Sequence, residues 1–126
     1  MFYILLYDNN NNNKSGAVGE AREVLKLTSY DALLHLGDFD YERHPDAFFD
    51  KVLPSDRKFD FMGVLGNHDS LRENSESQFH RFRDNVYREM KNSNIDCTFS
   101  DSKFMWSCRY HNMVYLHNNI NNNDNI

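Results

Sequence analysis

Two stretches of the chain decide the fold: residues 32–41 read ALLHLGDFDY, and residues 59–69 read FDFMGVLGNHD. Each begins with an apolar run of the kind that forms a strand buried on both faces. Each run is followed by a glycine, Gly37 or Gly66, where the backbone can turn sharply, and then by polar side chains. The pattern predicts two buried strands whose ends carry the chemistry of the protein.

Outward from these stretches, apolar runs alternate with helical spacings. Strands that alternate with helices imply right-handed crossovers between parallel neighbours. The fold class predicted is therefore α/β, a layered sandwich around a largely parallel sheet, in one domain. The predicted strands are 1–7, 32–36, 59–65, 103–110 and 113–117, and the last two are predicted to form a hairpin around a tight turn at residues 111–112. The predicted helices start at Ser15, Pro45 and Ser75.

Polar side chains follow the first three predicted strands. They are Asp8 after the first, Asp38 and Tyr41 after the second, and Asn67, His68 and Asp69 after the third. Because the carboxyl ends of parallel strands share one edge of a sheet, where open α/β folds place ligands, these side chains are expected to converge. Carboxylate and amide oxygens suit hard divalent metals, and paired metals are a common device for phosphoester hydrolysis. A nearby histidine can protonate the leaving oxygen.

Structural readings of the same residues stay open at this point. Asp38 can cap a turn, and residues 67–69 can form an ordinary polar loop. Asp8 can simply end a strand, since Asp-Asn pairs favour turns. Tyr41 can be a packing aromatic. Asp40 is interpreted as a solvated neighbour of the site rather than a ligand.

At these residues the chain resembles the calcineurin-like metallophosphoesterases. Residues 37–41 (GDFDY) and 66–69 (GNHD) look like the second and third motifs of that superfamily. Asp38 and Asn67 stand 29 residues apart, a separation similar to that of the family. Tyr41, three residues after Asp38, resembles the purple acid phosphatase branch, in which a tyrosine at that offset binds iron. The resemblance covers the N-terminal half of the family's domain.

The resemblance implies a metal site with two divalent or trivalent ions of Fe, Mn or Zn. Asp38 would bridge the two ions. Asp8 and Tyr41 would bind the first ion, and Asn67 would bind the second.

The resemblance also implies where protons move. His68 would stabilise the transition state or protonate the leaving group, with Asp69 orienting it. Two departures affect this expectation. The first motif of the family is usually Asp-x-His, and here Asn10 stands where the histidine would be. The Gly-His-x-His motif of the family's C-terminal half does not occur, so a truncated domain with an incomplete metal shell is expected.

The remaining histidines have simpler expected roles. His35 lies inside a predicted strand and is expected to be buried and hydrogen-bonded. His44 and His80 are expected to be exposed to solvent. His111 or His117 could substitute for the missing metal ligands, and His117 is placed for this near the end of a predicted strand.

Composition bounds the function further. The chain has 126 residues and a net charge of −5, which argues against a sequence-independent nucleic-acid binder. Its longest apolar run, residues 2–7, is far shorter than the ~20 residues of a membrane span. No signal peptide is recognised, so a cytoplasmic location is expected by default. Cys97 and Cys108 lack CxxC spacing and are expected to be two separate structural thiols in a reducing compartment.

Asparagine is over-used, with 17 copies, eight of them in tracts at 9–13 and 121–123. Such low-complexity tracts bury nothing and favour disorder. The predicted organisation is a partial metallophosphoesterase domain over 1–117 with an Asn-rich loop at 9–13, followed by an Asn-rich disordered tail over 118–126.

Three functions are compatible with this sequence. The first is a metal-dependent phosphoesterase that acts through a metal-bridging hydroxide on a phosphorylated small-molecule or protein substrate. The second is a catalytically inactive, truncated remnant of such a domain, whose exposed sheet edge would favour self-association. The third is an interaction module formed by the Asn-rich tracts. No nucleic-acid or membrane partner is expected.

Overall fold

The computed structural model describes residues 2–5, 23, 25–26 and 30–117. Asp8, the Asn-rich loop at 9–13 and the tail at 118–126 lie outside the described residues. Three residues of the helix predicted from Ser15 are described, and all three are helical. Most of the described residues therefore belong to the region from the second strand onward.

Three parallel strands form the first sheet. They are β1 (Phe2–Leu5), β2 (Ala32–His35) and β3 (Asp60–Gly63), in the order β1-β2-β3. The register aligns His35 of β2 with Leu5 on one side and Gly63 on the other. Since the strands are parallel, the segments that follow β2 and β3 leave from the same edge of the sheet. This confirms the parallel sheet predicted from the sequence.

The last three strands form a second sheet, which is antiparallel. They are β4 (Asp96–Phe99), β5 (Trp106–Tyr110) and β6 (Met113–His117), in chain order. The last two strands of this sheet confirm the hairpin predicted around residues 111–112, whereas the separate sheet corrects the prediction of one largely parallel sheet. The connections, residues 100–105 and 111–112, are too short for the crossover that a parallel pair requires. β4 was not predicted, and β5 begins three residues later than predicted. The layered sandwich remains a prediction.

Two helical segments follow β2 and β3. The short helix predicted from Pro45 is a π-helical turn over Phe48–Val52. The longer helix, α1 (Glu76–Lys91), begins at the predicted capping box, in which Ser75 and Gln78 exchange hydrogen bonds. Its apolar stripe is buried as predicted, at Phe79, Phe82, Val86 and Met90. Within the described part of the chain, no helix has the length and apolarity to span a membrane.

Cys97 and Cys108 form a disulfide, so the expectation of two separate thiols is wrong. The two residues are direct partners in the register of β4 and β5, with their Cα atoms 4.1 Å apart. The pairing was not predicted because it depends on β4, a short strand whose alternating apolar residues were not recognised as one. The argument for a reducing compartment loses its basis, since disulfides persist in oxidising environments.

Two sets of contacts hold β3 in place. The indole Nε1 of Trp106 in β5 donates to the carbonyl oxygen of Gly63 at 3.0 Å. At the other end of the strand, the hydroxyl of Ser93 accepts the backbone N–H of Phe61 at 2.8 Å, and it donates to the carbonyl of Glu89 in α1. β3 is therefore fixed between α1 and β5, which also fixes the start of the segment that follows it.

β6 is the last strand of the antiparallel sheet, and its apolar side chains are partly uncovered. Val114 is 60% exposed and Leu116 is 79% exposed. Charged residues, proline and bulges protect many natural edge strands, and Met113–His117 contains no Asp, Glu, Lys, Arg or Pro. Self-association through this edge stays a prediction.

Candidate active site

Two loops follow β2 and β3, and they start at Leu36 and Val64. The two loops touch each other at Gly37 and Gly66. Gly37 has a left-handed backbone, with φ of 93°, and a Cβ added there would lie 2.6 Å from the Cα of Gly66. A Cβ on Gly66 would lie 2.5 Å from the backbone nitrogen of Asp38 and 2.7 Å from its Cγ. Because real Cβ atoms essentially never approach other atoms within 3.0 Å, this contact requires glycine at both positions.

Asp38 lies at the contact between the two loops, on a left-handed backbone with φ of 57°. Its Oδ1 accepts the backbone N–H of His68 at 3.0 Å. Its Oδ2 lies 3.4 Å from the phenol oxygen of Tyr41, which donates to it. The rings of Tyr41 and His68 are 4.4 Å apart. Three residues predicted from two separate strand ends are thus brought together.

Asp69 is fully buried and binds backbone amides of both loops. Its Oδ2 accepts the N–H groups of Asp38 at 2.8 Å and of Gly66 at 2.9 Å, and its Oδ1 accepts the N–H of Phe39 at 3.0 Å. The carboxylate therefore contacts the backbone rather than the imidazole of His68, which was the partner expected from the sequence. In this arrangement Asp69 is a positioning residue that ties the two loops together.

The environment of Asp69 opposes its ionisation. Burial raises the pKa of its carboxyl group from 3.8 to about 7, and the negative charge of Asp38 acts in the same direction. The hydrogen bonds from Gly66, Phe39 and Asp38 favour the carboxylate and lower the pKa, but they offset only part of the effect of burial.

Asn67 and His68 lie in a tight turn after β3. The carbonyl of Asn67 accepts the hydroxyl of Ser70 at 2.6 Å, and the carbonyl of His68 accepts the side-chain amide of Asn74 at 2.7 Å. These bonds hold the backbone of the turn, while the side chain of Asn67 is exposed and that of His68 is half-buried. The side chain of Asn67 is therefore open to solvent, and that of His68 is partly open.

His35 is fully buried at the end of β2, as predicted. Its Nδ1 accepts the backbone N–H of Gly37 at 3.2 Å. Its ring stacks on that of Phe39, with centroids 4.2 Å apart. Burial lowers the pKa of this imidazole from 6.5 to about 3, so the ring stays neutral near pH 7.

Asp40 is buried, so its interpretation as a solvated neighbour is wrong. Its Oδ2 accepts the backbone N–H groups of Glu42 at 3.1 Å and of His44 at 2.6 Å, which closes the turn after the site. A signal was present in the sequence, because Asp commonly accepts backbone N–H groups a few residues later in a turn. Asp40 therefore has a structural role in the turn that follows the site.

The other histidines are spread over the surface and the second sheet. His44 is exposed as predicted, whereas His80 is half-buried rather than exposed. His117 is half-buried beside Trp106, with ring centroids 5.7 Å apart, and burial lowers its pKa. His111 is exposed in the turn before β6. The substitution of His111 or His117 for family metal ligands stays a prediction.

Oxygen donors lie at and near Asp38 among the described residues. The Asp38 carboxylate and the Tyr41 phenol face each other, and the exposed amide of Asn67 lies on the adjoining loop. These oxygen donors fit a hard cation. Among the described residues, no group of three or more His, Cys, Asp and Glu side chains is arranged to hold a metal. The donor chemistry thus fits, while the number of donors is short, and Asp8 lies outside the described residues.

Comparison with known proteins places this geometry in context. A family profile for calcineurin-like phosphoesterase matches residues 13–124, which is most of the chain. The chain belongs to the calcineurin-like phosphoesterase family. No curated protein and no solved structure matches it significantly.

Family membership accounts for the two loops that meet at Asp38. Both loops lie within residues 13–124, the range that the family profile matches, whereas Asp8 lies before that range. The calcineurin-like phosphoesterase profile describes the family as a whole. Assignment to the purple acid phosphatase branch rests on Tyr41.

Proposed function

We propose that this domain is a metal-dependent phosphoesterase whose reaction centre forms around Asp38. The observation that carries the proposal is the position of Asp38 itself. It lies at the contact of the two family-motif loops, with one carboxylate oxygen on the backbone of His68 and the other beside the phenol of Tyr41. A carboxylate held in this way is oriented before any ligand arrives, which favours a function over a simple turn.

We propose that Asp38 bridges two metal ions, with Asp8 and Tyr41 on the first and Asn67 on the second. Metal ions bound in such a pair lower the pKa of coordinated water and polarise the phosphoryl group. The support is the chemistry of the donors, since carboxylate, phenol and amide oxygens suit hard cations. The identity of the ions, among Fe, Mn and Zn, is part of the proposal.

The protein's own residues would then bind and orient the substrate. His68 is half-buried beside Tyr41, so its imidazole can reach a phosphoester oxygen and donate a proton to the departing alcohol. Its backbone N–H meanwhile holds Asp38. The carboxylate of Asp69 accepts backbone N–H groups from both loops and so holds them against each other. The substrate class we propose is a phosphorylated small molecule or protein.

The proposal is tested by metal content and turnover of the full chain. The protein is incubated with Fe, Mn or Zn, freed of excess metal, and analysed for bound metal and for hydrolysis of p-nitrophenyl phosphate and its diester. We expect about two metal ions per chain, and Asp38→Ala should lose both metal and turnover. Asp56→Ala, an exposed carboxylate away from the site, is the matched control and should behave as wild type.

Three outcomes separate the hypotheses. A folded wild-type chain without bound metal would contradict the proposed function. Metal bound without turnover in either assay would favour the inactive remnant. For the purple acid phosphatase branch, iron-loaded protein should have a visible phenolate-to-iron absorption band that Tyr41→Phe lacks, and a band unchanged in that variant would remove the branch assignment.

Gly66→Ala should disturb the site without removing any ligand. The added methyl group would collide with the backbone and carboxylate of Asp38, which cannot move aside as a flexible chain end could. We expect a loss of about 1–3 kcal/mol in the free energy of unfolding. Mn²⁺ affinity should fall about tenfold, as when supporting contacts around a metal site are lost.

The matched control for this variant is Gly63→Ala. A Cβ there would lie 2.9 Å from ring carbons of Phe61 and 3.3 Å from the ring of Phe39, so it crowds core side chains rather than the backbone and carboxylate of Asp38. Urea unfolding should give a measurable loss for both variants, while Mn²⁺ titration should give a weaker Kd for Gly66→Ala alone. Equal Kd values in both variants would show that crowding at Gly66 does not reach the site.

A further inference from the structure

Three consecutive backbone amides at the site are each bound by a buried side chain. The N–H of Gly37 donates to Nδ1 of His35, and the N–H groups of Asp38 and Phe39 donate to the carboxylate of Asp69. Gly37 and Asp38 both have left-handed backbones, with φ of 93° and 57°. A left-handed conformation is unfavourable for a residue with a Cβ. The surrounding hydrogen bonds therefore have to hold Asp38 in place.

His35 is rigidly placed for this task. It is fully buried, stacks on Phe39 at a centroid distance of 4.2 Å, and meets the edge of Phe48 at 4.6 Å. Its ring cannot turn without disturbing both aromatic neighbours. The acceptor nitrogen is therefore fixed at the start of the turn that carries Asp38.

The hydrogen bond also fixes which nitrogen carries the proton. Since Nδ1 of His35 accepts the N–H of Gly37, the neutral ring must be protonated at Nε2. That Nε2 is buried and has no hydrogen-bond partner among the described residues. An unpaired buried N–H is unfavourable, and phenylalanine would pack here without it. The contribution that only the imidazole makes is therefore the Nδ1 acceptor.

We propose that His35 is a positioning residue that holds Asp38 in its metal-binding orientation by accepting the backbone N–H of Gly37 on Nδ1. The role rests on the proposed function, because Asp38 is there a metal ligand. His35 itself touches neither metal nor substrate in this scheme. It acts through the backbone, together with Asp69 on the next two amides.

Two substitutions separate the acceptor from the ring. His35→Asn keeps an acceptor oxygen at the position of Nδ1 and loses the ring, whereas His35→Phe keeps a ring and loses the acceptor. In wild-type protein, ¹⁵N NMR should give an Nε2-protonated imidazole and a scalar coupling between Nδ1 and the Gly37 amide nitrogen across the N–H···N bond. Mn²⁺ affinity should fall about tenfold or more in His35→Phe and stay closer to wild type in His35→Asn.

Each outcome bears on the proposal separately from the proposed function. A missing scalar coupling, or wild-type Mn²⁺ affinity in folded His35→Phe, would overturn the role of His35. If wild-type protein binds no Mn²⁺, the proposed function fails, and the Asp38 amide resonance then decides the positioning role. A shift of that resonance in His35→Phe but not in His35→Asn would support positioning, and equal shifts in both variants would overturn it.

Discussion

Asp69→Ala is expected to lower the free energy of unfolding by about 3–5 kcal/mol at pH 7, because it leaves three backbone N–H groups without their acceptor. The groups belong to Asp38, Phe39 and Gly66, and the carboxylate that accepts them is fully buried. The loss is a large part of the 5–15 kcal/mol typical of a domain. Urea unfolding of metal-free protein, followed by the fluorescence of the single tryptophan, Trp106, measures it.

Asp69→Asn is the matched variant that keeps the shape of the side chain. Its one carbonyl oxygen can still accept the N–H groups of Asp38 and Gly66, while its NH₂ group would face the N–H of Phe39. One donor instead of three is then unsatisfied, so the loss should be about 1–3 kcal/mol. A loss of this size should leave the Asp69→Asn variant folded, so its turnover can also be measured.

The pair of variants distinguishes two roles for Asp69. If Asp69 holds the two loops together, the free energy of unfolding and the Mn²⁺ affinity should be highest in the wild type, lower in Asp69→Asn and lowest in Asp69→Ala. If instead it orients the imidazole of His68, as the sequence suggested, both variants should lose turnover equally with little change in stability. Equal unfolding free energies for all three proteins would contradict the role of holding the loops together.

The two motif loops were predictable because a local signal coincided with a topological rule. An apolar run, a glycine and then polar residues mark a buried strand and its end, and parallel strands bring such ends to one edge. The meeting of Asp38, Tyr41 and His68 follows from these two facts. The rule gives proximity only, and it does not say which atoms of the two loops touch.

The partners of Asp69 were not predictable for that reason. Its sequence neighbour His68 suggested an imidazole partner, but its carboxylate binds amides about 30 residues away. Asp40 differs from Asp69, because its hydrogen bonds are local. Asp commonly accepts backbone N–H groups a few residues later in a turn, so this role was readable from the sequence. Only the burial of its carboxylate depends on how the turn folds over it.

In the second sheet, the hairpin of β5 and β6 was predicted, and only β4 escaped prediction. Asp96–Phe99 is only four residues long, which makes it easy to overlook. A signal was nevertheless present, because Ile95, Cys97 and Phe99 alternate with polar residues in the period-2 pattern of a half-buried strand, and these three pack against the core. The Cys97–Cys108 bond then follows from the register in which β4 pairs with β5.

The second large effect concerns pH and the buried His35. Its pKa is lowered from 6.5 to about 3 in the folded protein, so the unfolded chain binds a proton that the folded chain excludes between these values. Stability from this group is complete above pH 6.5 and is lost as the pH falls toward 3. The slope is about 1.4 kcal/mol per pH unit, or about 5 kcal/mol over the whole window.

Asp69 acts with the opposite sign and would hide this effect in a simple pH profile. Its pKa is raised from 3.8 to about 7, so the folded chain keeps a proton that the unfolded chain releases. Its stabilisation is complete below pH 3.8 and is lost as the pH rises through 7. Between about pH 4 and 6.5 the two slopes nearly cancel in the wild type.

The difference between wild type and His35→Phe isolates the histidine, because Asp69 contributes to both proteins. The difference in unfolding free energy, measured in urea on chelator-treated protein, should be constant above pH 7. Below pH 6.5 it should move against the wild type by about 1.4 kcal/mol per pH unit. As the pH falls from 7 toward 4, His35→Phe should therefore gain stability relative to the wild type, with the stabilisation from Asp69 now opposed by His117, whose pKa burial also lowers, and no longer by His35. A difference that does not change with pH would mean that the imidazole becomes protonated in the folded state, and that burial does not keep its Nδ1 available to Gly37.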